Sequence, residues 1–219
     1  MERFLRQTDD GSHTLYVQEL DEAYHSTHGA IQESMHVFIK EGLQSLNKAK
    51  LRILETGFGT GLNALLTWKI AEHSKLSIHY HSVEKYPLSK TEYAQLNFET
   101  LIGGVPQGLL NEMHEADWER PVQISDRFSL FKEKADFRSM NPEGNFDLVY
   151  FDAFSPDTQP ELWSEEVFSI IRNRTEKGAV LVSYSSKGSV RRTLISCGFR
   201  VEKVQGPPGK REMIRALRI

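Results

Sequence analysis

The sequence predicts an α/β fold: a mostly parallel sheet with helices on both faces, closed by an antiparallel edge. Three observations carry this. From Leu51 onward, short apolar runs of strand length alternate with stretches of helical periodicity. A glycine-rich turn, Gly57-Phe58-Gly59-Thr60-Gly61, sits directly between the first such run and the first such helix. The last two runs, 199–204 and 212–217, are joined by a Gly/Pro/basic turn with no helix between them, which implies antiparallel pairing.

The elements follow in order. Phe4-Leu5 and residues 14–17 flank Asp10-Gly11, a hairpin-type turn signal. Met35, Phe38, Ile39, Gly42, Leu43 and Leu46 then share one face at helical spacing. Residues 51–55 read as a buried strand, and Leu62, Leu65, Leu66 and Ile70 as a helix face. Residues 78–84 are the second strand. Ser89 and Glu92 have capping-box spacing at the start of a helix with Tyr93 and Leu96. The stretch 98–125 is irregular, with Gly103-Gly104, two prolines and Trp118, and reads as an insertion or a lid. Strands at 128–132 and 146–151 follow. A helix then carries Val167, Phe168, Ile170 and Ile171, before a strand at 179–184 and a helix at 189–197. With the closing pair, the sheet has seven strands. Residues 1–50 form an N-terminal hairpin and helix extension to a domain at 51–219.

Composition narrows the class. The 219 residues, 39% hydrophobic and 26% charged, describe a globular protein. No run approaches the roughly 18 apolar residues of a membrane span. The start, MERFLRQTDD, lacks the apolar segment of a secretory signal. One cysteine excludes a disulfide scaffold and a cysteine-based zinc site, and the simplest compartment is a reducing cytoplasm. The net charge of -3 hides a polarity: residues 172–219 hold 12 Lys/Arg against 3 Asp/Glu. That asymmetry fits either a nucleic-acid-binding face or ordinary solvated helices.

The glycine turn is preceded by Glu55 and lacks the Lys-Ser/Thr of a nucleotide-phosphate loop. Glu55 does not suit a pyrophosphate; it suits a cationic or neutral ligand carrying an amino acid or nucleoside. Glu84 ends the second strand, where a carboxylate can accept both hydroxyl hydrogens of a ribose. Asp136 follows the third strand and could accept an adenine amine, or could be a plain loop residue. Asp152 ends the fourth strand, where open α/β sheets place their ligands, and can orient a nucleophile or take its proton. Phe154 and Pro156 could wall a pocket. His79 and His81 alternate on one strand without a third ligand, so they read as a packed pair rather than a metal site. Cys197 reads as a buried apolar thiol.

These residues resemble the class I S-adenosylmethionine-dependent methyltransferases, which have a Rossmann-like fold. Four stretches sharpen the resemblance: Glu55-Thr56-Gly57-Phe58-Gly59-Thr60-Gly61-Leu62-Asn63; Ser82-Val83-Glu84-Lys85-Tyr86-Pro87-Leu88; Phe151-Asp152-Ala153-Phe154-Ser155-Pro156 through Trp163; and Ser189-Val190-Arg191-Arg192 with 206–213. Together they are similar to the methyltransferase half of the MnmC family, as is the stretch from His28 to Phe38. That family completes 5-methylaminomethyl-2-thiouridine at the tRNA wobble position. The family's usual Asp-Gly-Phe-Ala-Pro stands here as Asp152-Ala153-Phe154-Ser155-Pro156. The resemblance implies S-adenosylmethionine as cofactor, with Glu55, Gly57, Phe58, Gly59, Gly61, Asn63, Glu84, Lys85, Asp136 and Asp152 around it. It implies Asp152 as the catalytic residue and tRNA as partner. No flavin oxidase domain follows in this sequence, so a separate oxidase or aminomethyl-forming enzyme is implied.

Lys187, Arg191, Arg192, Lys210 and Arg211 fall at the sheet end that carries Asp152 and read either as a patch for the tRNA backbone or as cations paired with nearby acids such as Glu212, with Arg211 also a candidate for the pocket itself. The rival enzymes are a spermidine-synthase-like aminopropyltransferase and a small-molecule amine methyltransferase. The rival outside enzymology is a noncatalytic module that binds the cofactor or RNA.

Overall fold

A computed structural model describes residues 1–140 and 144–219. The chain opens with three short antiparallel strands, β1 (Arg3–Gln7), β2 (His13–Val17) and β3 (Glu22–Ala23), in that spatial order. The predicted hairpin is present, with Gln7 opposite His13 across the Asp10-Gly11 turn. Helix α1 (Ala30–Ser34) follows and runs into a π-helical stretch, Met35–Lys40. The π turn widens the spiral and shifts which residues face inward. Val37, Phe38 and Ile39 are buried, whereas Met35, expected on the inner face, is 37% exposed.

The rest alternates. Strand β4 (Lys50–Thr56) leads to α2 (Leu62–Glu72), then β5 (Ser77–Val83), α3 (Lys90–Tyr93), α4 (Phe98–Ile102) and α5 (Leu109–Glu115). Next come β6 (Pro121–Ser125), β7 (Phe128–Glu133), β8 (Phe146–Phe151), α6 (Glu165–Asn173), β9 (Thr175–Ser183), α7 (Gly188–Ser196), β10 (Phe199–Gln205) and β11 (Glu212–Arg218). The sheet order is β10-β11-β9-β8-β4-β5-β7-β6. Strands β7, β5, β4, β8 and β9 are parallel, β11 runs antiparallel between β9 and β10, and β6 runs antiparallel to β7.

Among the described residues the sheet therefore has eight strands, one more than the sequence predicts. The addition, β6, comes from the irregular 98–125 stretch. That stretch is no detached lid: Phe98, Leu109, Leu110 and Met113 are buried in the main core. The capping box at Ser89 and Glu92 is present, although α3 is only four residues long.

Two apolar layers sandwich the sheet. One packs Ile53, Tyr80, Leu130, Leu148 and Val182 against α2 and the π-helical stretch. The other packs Leu54, Val149, Phe151 and Leu181 against α6 and α7. Central parallel strands are buried on both faces, which is why 146–151 is an almost unbroken apolar run. The connections after β4, β5, β8, β9 and β10 all leave from the same end of the sheet, and the functional residues collect there.

Candidate active site

A cleft of about 590 Å³ opens over the ends of β4, β5 and β8, within the size range of small-molecule sites. Its base is the turn after β4. Gly57 (φ 84°) and Gly59 (φ 51°) hold left-handed backbone there, which an L side chain adopts only at a cost. A Cβ on Gly59 would lie 3.1 Å from the Tyr24 ring. The turn is thus covered directly by residues 22–28 of the N-terminal extension. The cover is tied down at two points. Ser155 N–H donates to Glu22 Oε1 at 3.0 Å, and His25 Nε2 pairs with Thr60 Oγ1 at 2.7 Å. On the far side, His114 Nε2 donates to Thr60 O at 3.1 Å. Burial pushes both His25 and His114 down to about 4, so both are neutral at pH 7.

Glu84, just past β5, lines the cleft. Its Oε2 accepts Gly59 N–H at 3.0 Å and its Oε1 accepts Tyr86 N–H at 2.6 Å. Two backbone donors fix the carboxylate while leaving a lone pair on each oxygen for a ligand. Asp152, just past β8, is partly open to the cleft yet deep in the protein mass. Burial raises it to about 7, against the Asn63 Nδ2 donor that stands 2.8 Å from Oδ2. Tyr184 Oη donates to Ala153 O at 2.9 Å and Trp163 Nε1 to Phe154 O at 2.8 Å, which braces the loop after Asp152. Phe154 meets Tyr24 edge-on, with centroids 5.2 Å apart.

Of the sequence candidates, Gly57, Phe58, Gly59, Asn63, Glu84, Lys85, Asp136, Asp152, Phe154 and Lys210 line this cleft. Glu55 and Gly61 do not. Glu55 is 1% exposed and points behind the turn, where it accepts from Ser82 Oγ at 2.7 Å. Burial raises it to about 8. Asp136 reaches the cleft, but its carboxylate is taken by the Arg138 side chain and backbone and by Lys85 Nζ. Its hydrogen bonds to Arg138 hold it well below the usual carboxylate range.

The five expected phosphate-binding cations do not act alike. Lys187 pairs with Asp157, and Lys210 turns into the cleft toward Glu33. Arg191, Arg192 and Arg211 are exposed. Pro156 lies outside the cleft lining. Sequence reasoning missed Glu22, Tyr24, His25, Glu33 and Tyr184. For Tyr184 a signal existed: it follows the fifth parallel strand as Asp152 follows the fourth. Glu33 lies within a motif noted only for resemblance.

The residues fit a cofactor with a ribose and an amino-acid end. Glu84 offers a clamped carboxylate for a diol. Asn63 Oδ1 and Glu22 Oε2, on cleft-lining residues, are buried acceptors with no protein partner among the described residues. Such acceptors call for a ligand donor. Among the described residues, no group of three His, Cys, Asp or Glu side chains is placed to hold a metal, and no helix is long and apolar enough to cross a membrane.

Comparison with known proteins agrees with this geometry. A family model described as S-adenosyl-L-methionine-dependent methyltransferase matches residues 125–219. The chain is 32% identical over 212 residues to the tRNA 5-methylaminomethyl-2-thiouridine biosynthesis bifunctional protein MnmC of Methylobacillus flagellatus, covering 91% of this chain and 33% of that protein. The MnmC of Ectopseudomonas mendocina is 33% identical over 207 residues, covering 88% and 32%. The chain thus spans about a third of the length of the curated relatives it matches. The crystal structure of MNMC2 from Aquifex aeolicus superposes with a TM-score of 0.82 at 30% identity, covering 99% of this chain and 70% of that one. The glycopeptide N-methyltransferase MtfA, complexed with sinefungin, shares the fold at a TM-score of 0.52 and 14% identity, covering 86% of each chain.

Proposed function

Since the chain belongs to the MnmC family of S-adenosyl-L-methionine-dependent methyltransferases and spans their methyltransferase part, we propose that it methylates the aminomethyl group of 5-aminomethyl-(2-thio)uridine at the tRNA wobble position. The observation that carries this reading is the convergence of Asp152, Glu84 and the glycine turn on one cleft.

When bound, S-adenosylmethionine supplies a methyl group already activated on a sulfonium. The protein has to hold an amine nitrogen in line with that methyl and take away one proton. Glu84 holds the ribose, and Gly57 and Gly59 give the methionine part close access to backbone. Phe58 and Asn63 wall that end, and Lys85 keeps Asp136 fixed at the adenine end. Asp152 accepts an N–H hydrogen bond from the substrate amine, which points the nitrogen lone pair at the methyl. The bound cofactor would supply the methyl to that nitrogen, its sulfur keeping the electron pair of the C–S bond. Ionised Asp152 receives the proton that leaves nitrogen. Phe154 and Tyr24 flank the entering base.

Residues 1–50 act as an extension that completes the cleft of a 51–219 methyltransferase domain. The partner is tRNA, met in the cytoplasm. A separate oxidase or aminomethyl-forming enzyme supplies the amine. Nucleoside mass spectrometry of tRNA from cells with and without this protein tests the whole reading. Aminomethyluridine should accumulate only in its absence; identical nucleoside profiles would defeat the proposal.

A further inference from the structure

Lys210 carries a charge that the sequence assigns to RNA, but its surroundings belong to the cleft. Its Nζ donates to Glu33 Oε1 at 2.8 Å and lies 4.3 Å from the Tyr184 ring centroid. The other Glu33 oxygen accepts Ser26 N–H at 3.1 Å. The pair therefore joins three distant parts of the chain: the cover at 22–28, α1, and the turn between β10 and β11. Glu33 and Lys210 both line the cavity that Asp152 lines. They act on Asp152 with opposite sign: the Glu33 carboxylate disfavours its ionisation, and the Lys210 ammonium favours it. The other titratable groups facing Asp152 include Glu55 on β4, Tyr80 on β5, Glu84 after β5 and Tyr184 after β9, with Tyr24 and His25 of the cover on the same cleft and Glu22 on β3 acting on Tyr184.

We propose that the Glu33–Lys210 ion pair is a positioning device for methyl transfer, holding a cation at the Asp152 wall and so fixing when Asp152 can take the substrate proton. The inference rests on the reading of Asp152 as proton acceptor. Of the three Lys210 N–H donors, one is committed to the Glu33 carboxylate. With the pair intact, Asp152 meets two charges of opposite sign. Removing Lys210 leaves Glu33 as a bare anion facing Asp152, which raises the pH at which Asp152 ionises. Removing Glu33 leaves the ammonium unopposed, which lowers it. A purely structural strut would not produce shifts of opposite sign.

The test titrates Asp152 by NMR in the full chain, using aspartate labelled at the carboxyl carbon and saturating S-adenosylhomocysteine, with Asp152→Asn to assign the signal. The pH profile of kcat is measured on the same proteins. Lys210→Met should move the Asp152 midpoint up by about 0.5 pH unit or more, and Glu33→Gln should move it down by a similar amount. The double variant should return near the wild-type value, and Lys210→Arg should restore it. Midpoints that move together, or do not move, overturn the proposal. Opposed NMR shifts with no matching change in kcat would instead defeat Asp152 as proton acceptor while leaving the electrostatic relation standing. Should Lys210→Met fail to fold, Glu33→Gln and Lys210→Arg decide the question alone.

Discussion

The Asn63 side-chain amide donates to the Asp152 carboxylate at 2.8 Å, joining the first turn of α2 to the loop after β8. That donor favours the ionised form, so it opposes the burial that raises Asp152 to about 7. Activity should therefore rise with pH through this region as Asp152 ionises. Asn63→Ala should move the acidic limb of the kcat profile to higher pH. Asp152→Asn should cut kcat by about 100-fold or more, with S-adenosylhomocysteine affinity little changed. Wild-type turnover by Asp152→Asn would remove the residue from the chemistry.

Glu84 accepts two backbone N–H groups and is the proposed ribose holder. Glu84→Ala should weaken S-adenosylhomocysteine binding by about 1.5–3 kcal/mol, the value of a charged hydrogen-bond acceptor. Calorimetric titration reads this directly. An unchanged dissociation constant would place the ribose elsewhere.

Glu55 makes a prediction about stability rather than binding. Its pKa rises from an ordinary 4.5 to about 8 on burial, so its folded-state value lies above its unfolded one. Below pH 4.5 the residue is neutral in both states and costs nothing. Between pH 4.5 and about 8 the unfolded chain has released a proton that the folded chain keeps, so stability falls as pH rises, by up to about 1.4 kcal/mol per pH unit. Glu55→Gln should flatten the decline between pH 5.5 and 8 in urea unfolding. A slope there as steep as that of the natural protein would show that Glu55 is not held as the neutral acid.

Arg191 and Arg192 are the exposed cations at the start of α7. Replacing both with Ala should weaken tRNA binding across sequences and lower the salt slope by about one to two ions. Binding isotherms at several salt concentrations give the slope. An unchanged slope would move the phosphate contacts away from α7.

Much of the fold was legible because parallel strands buried on both faces leave an unmistakable pattern. The run 146–151 and the strand β8 coincide residue for residue. Strand β6 was not legible: in Pro121–Ser125 only Val122 and Ile124 form an apolar face, half-buried on an edge, and two alternating positions behind a proline are too short a signal to mark a strand. At the site, the rule that ligands gather beyond the carboxyl ends of strands found Glu84 and Asp152. It could not find Tyr24, His25 or Glu33, which reach the cleft only through tertiary contacts with residues far along the chain. Glu55 was placed at the ligand because it adjoins the glycine turn. The alternation of β4 points it instead to the side of Ile53 and Tyr80. Lys187 and Lys210 show the limit of charge patterns: the sequence counts cations but does not show that Asp157 and Glu33 already hold these two.

The cover at residues 22–28 has a consequence for how the protein folds. Tyr24 rests on Gly59 and meets Phe154. Glu22 is tied to Ser155 across 133 positions, and Glu33 is tied to Lys210 across 177. The last two contacts cannot form until the ends of a very long loop have met, and such closures are slow. On refolding, helical and strand signals should therefore return well before the ability to bind a ligand. For that interval the protein would have its sheet but not its site, with the apolar rings of Tyr24 and Phe154 still unmatched and open to contact with other chains.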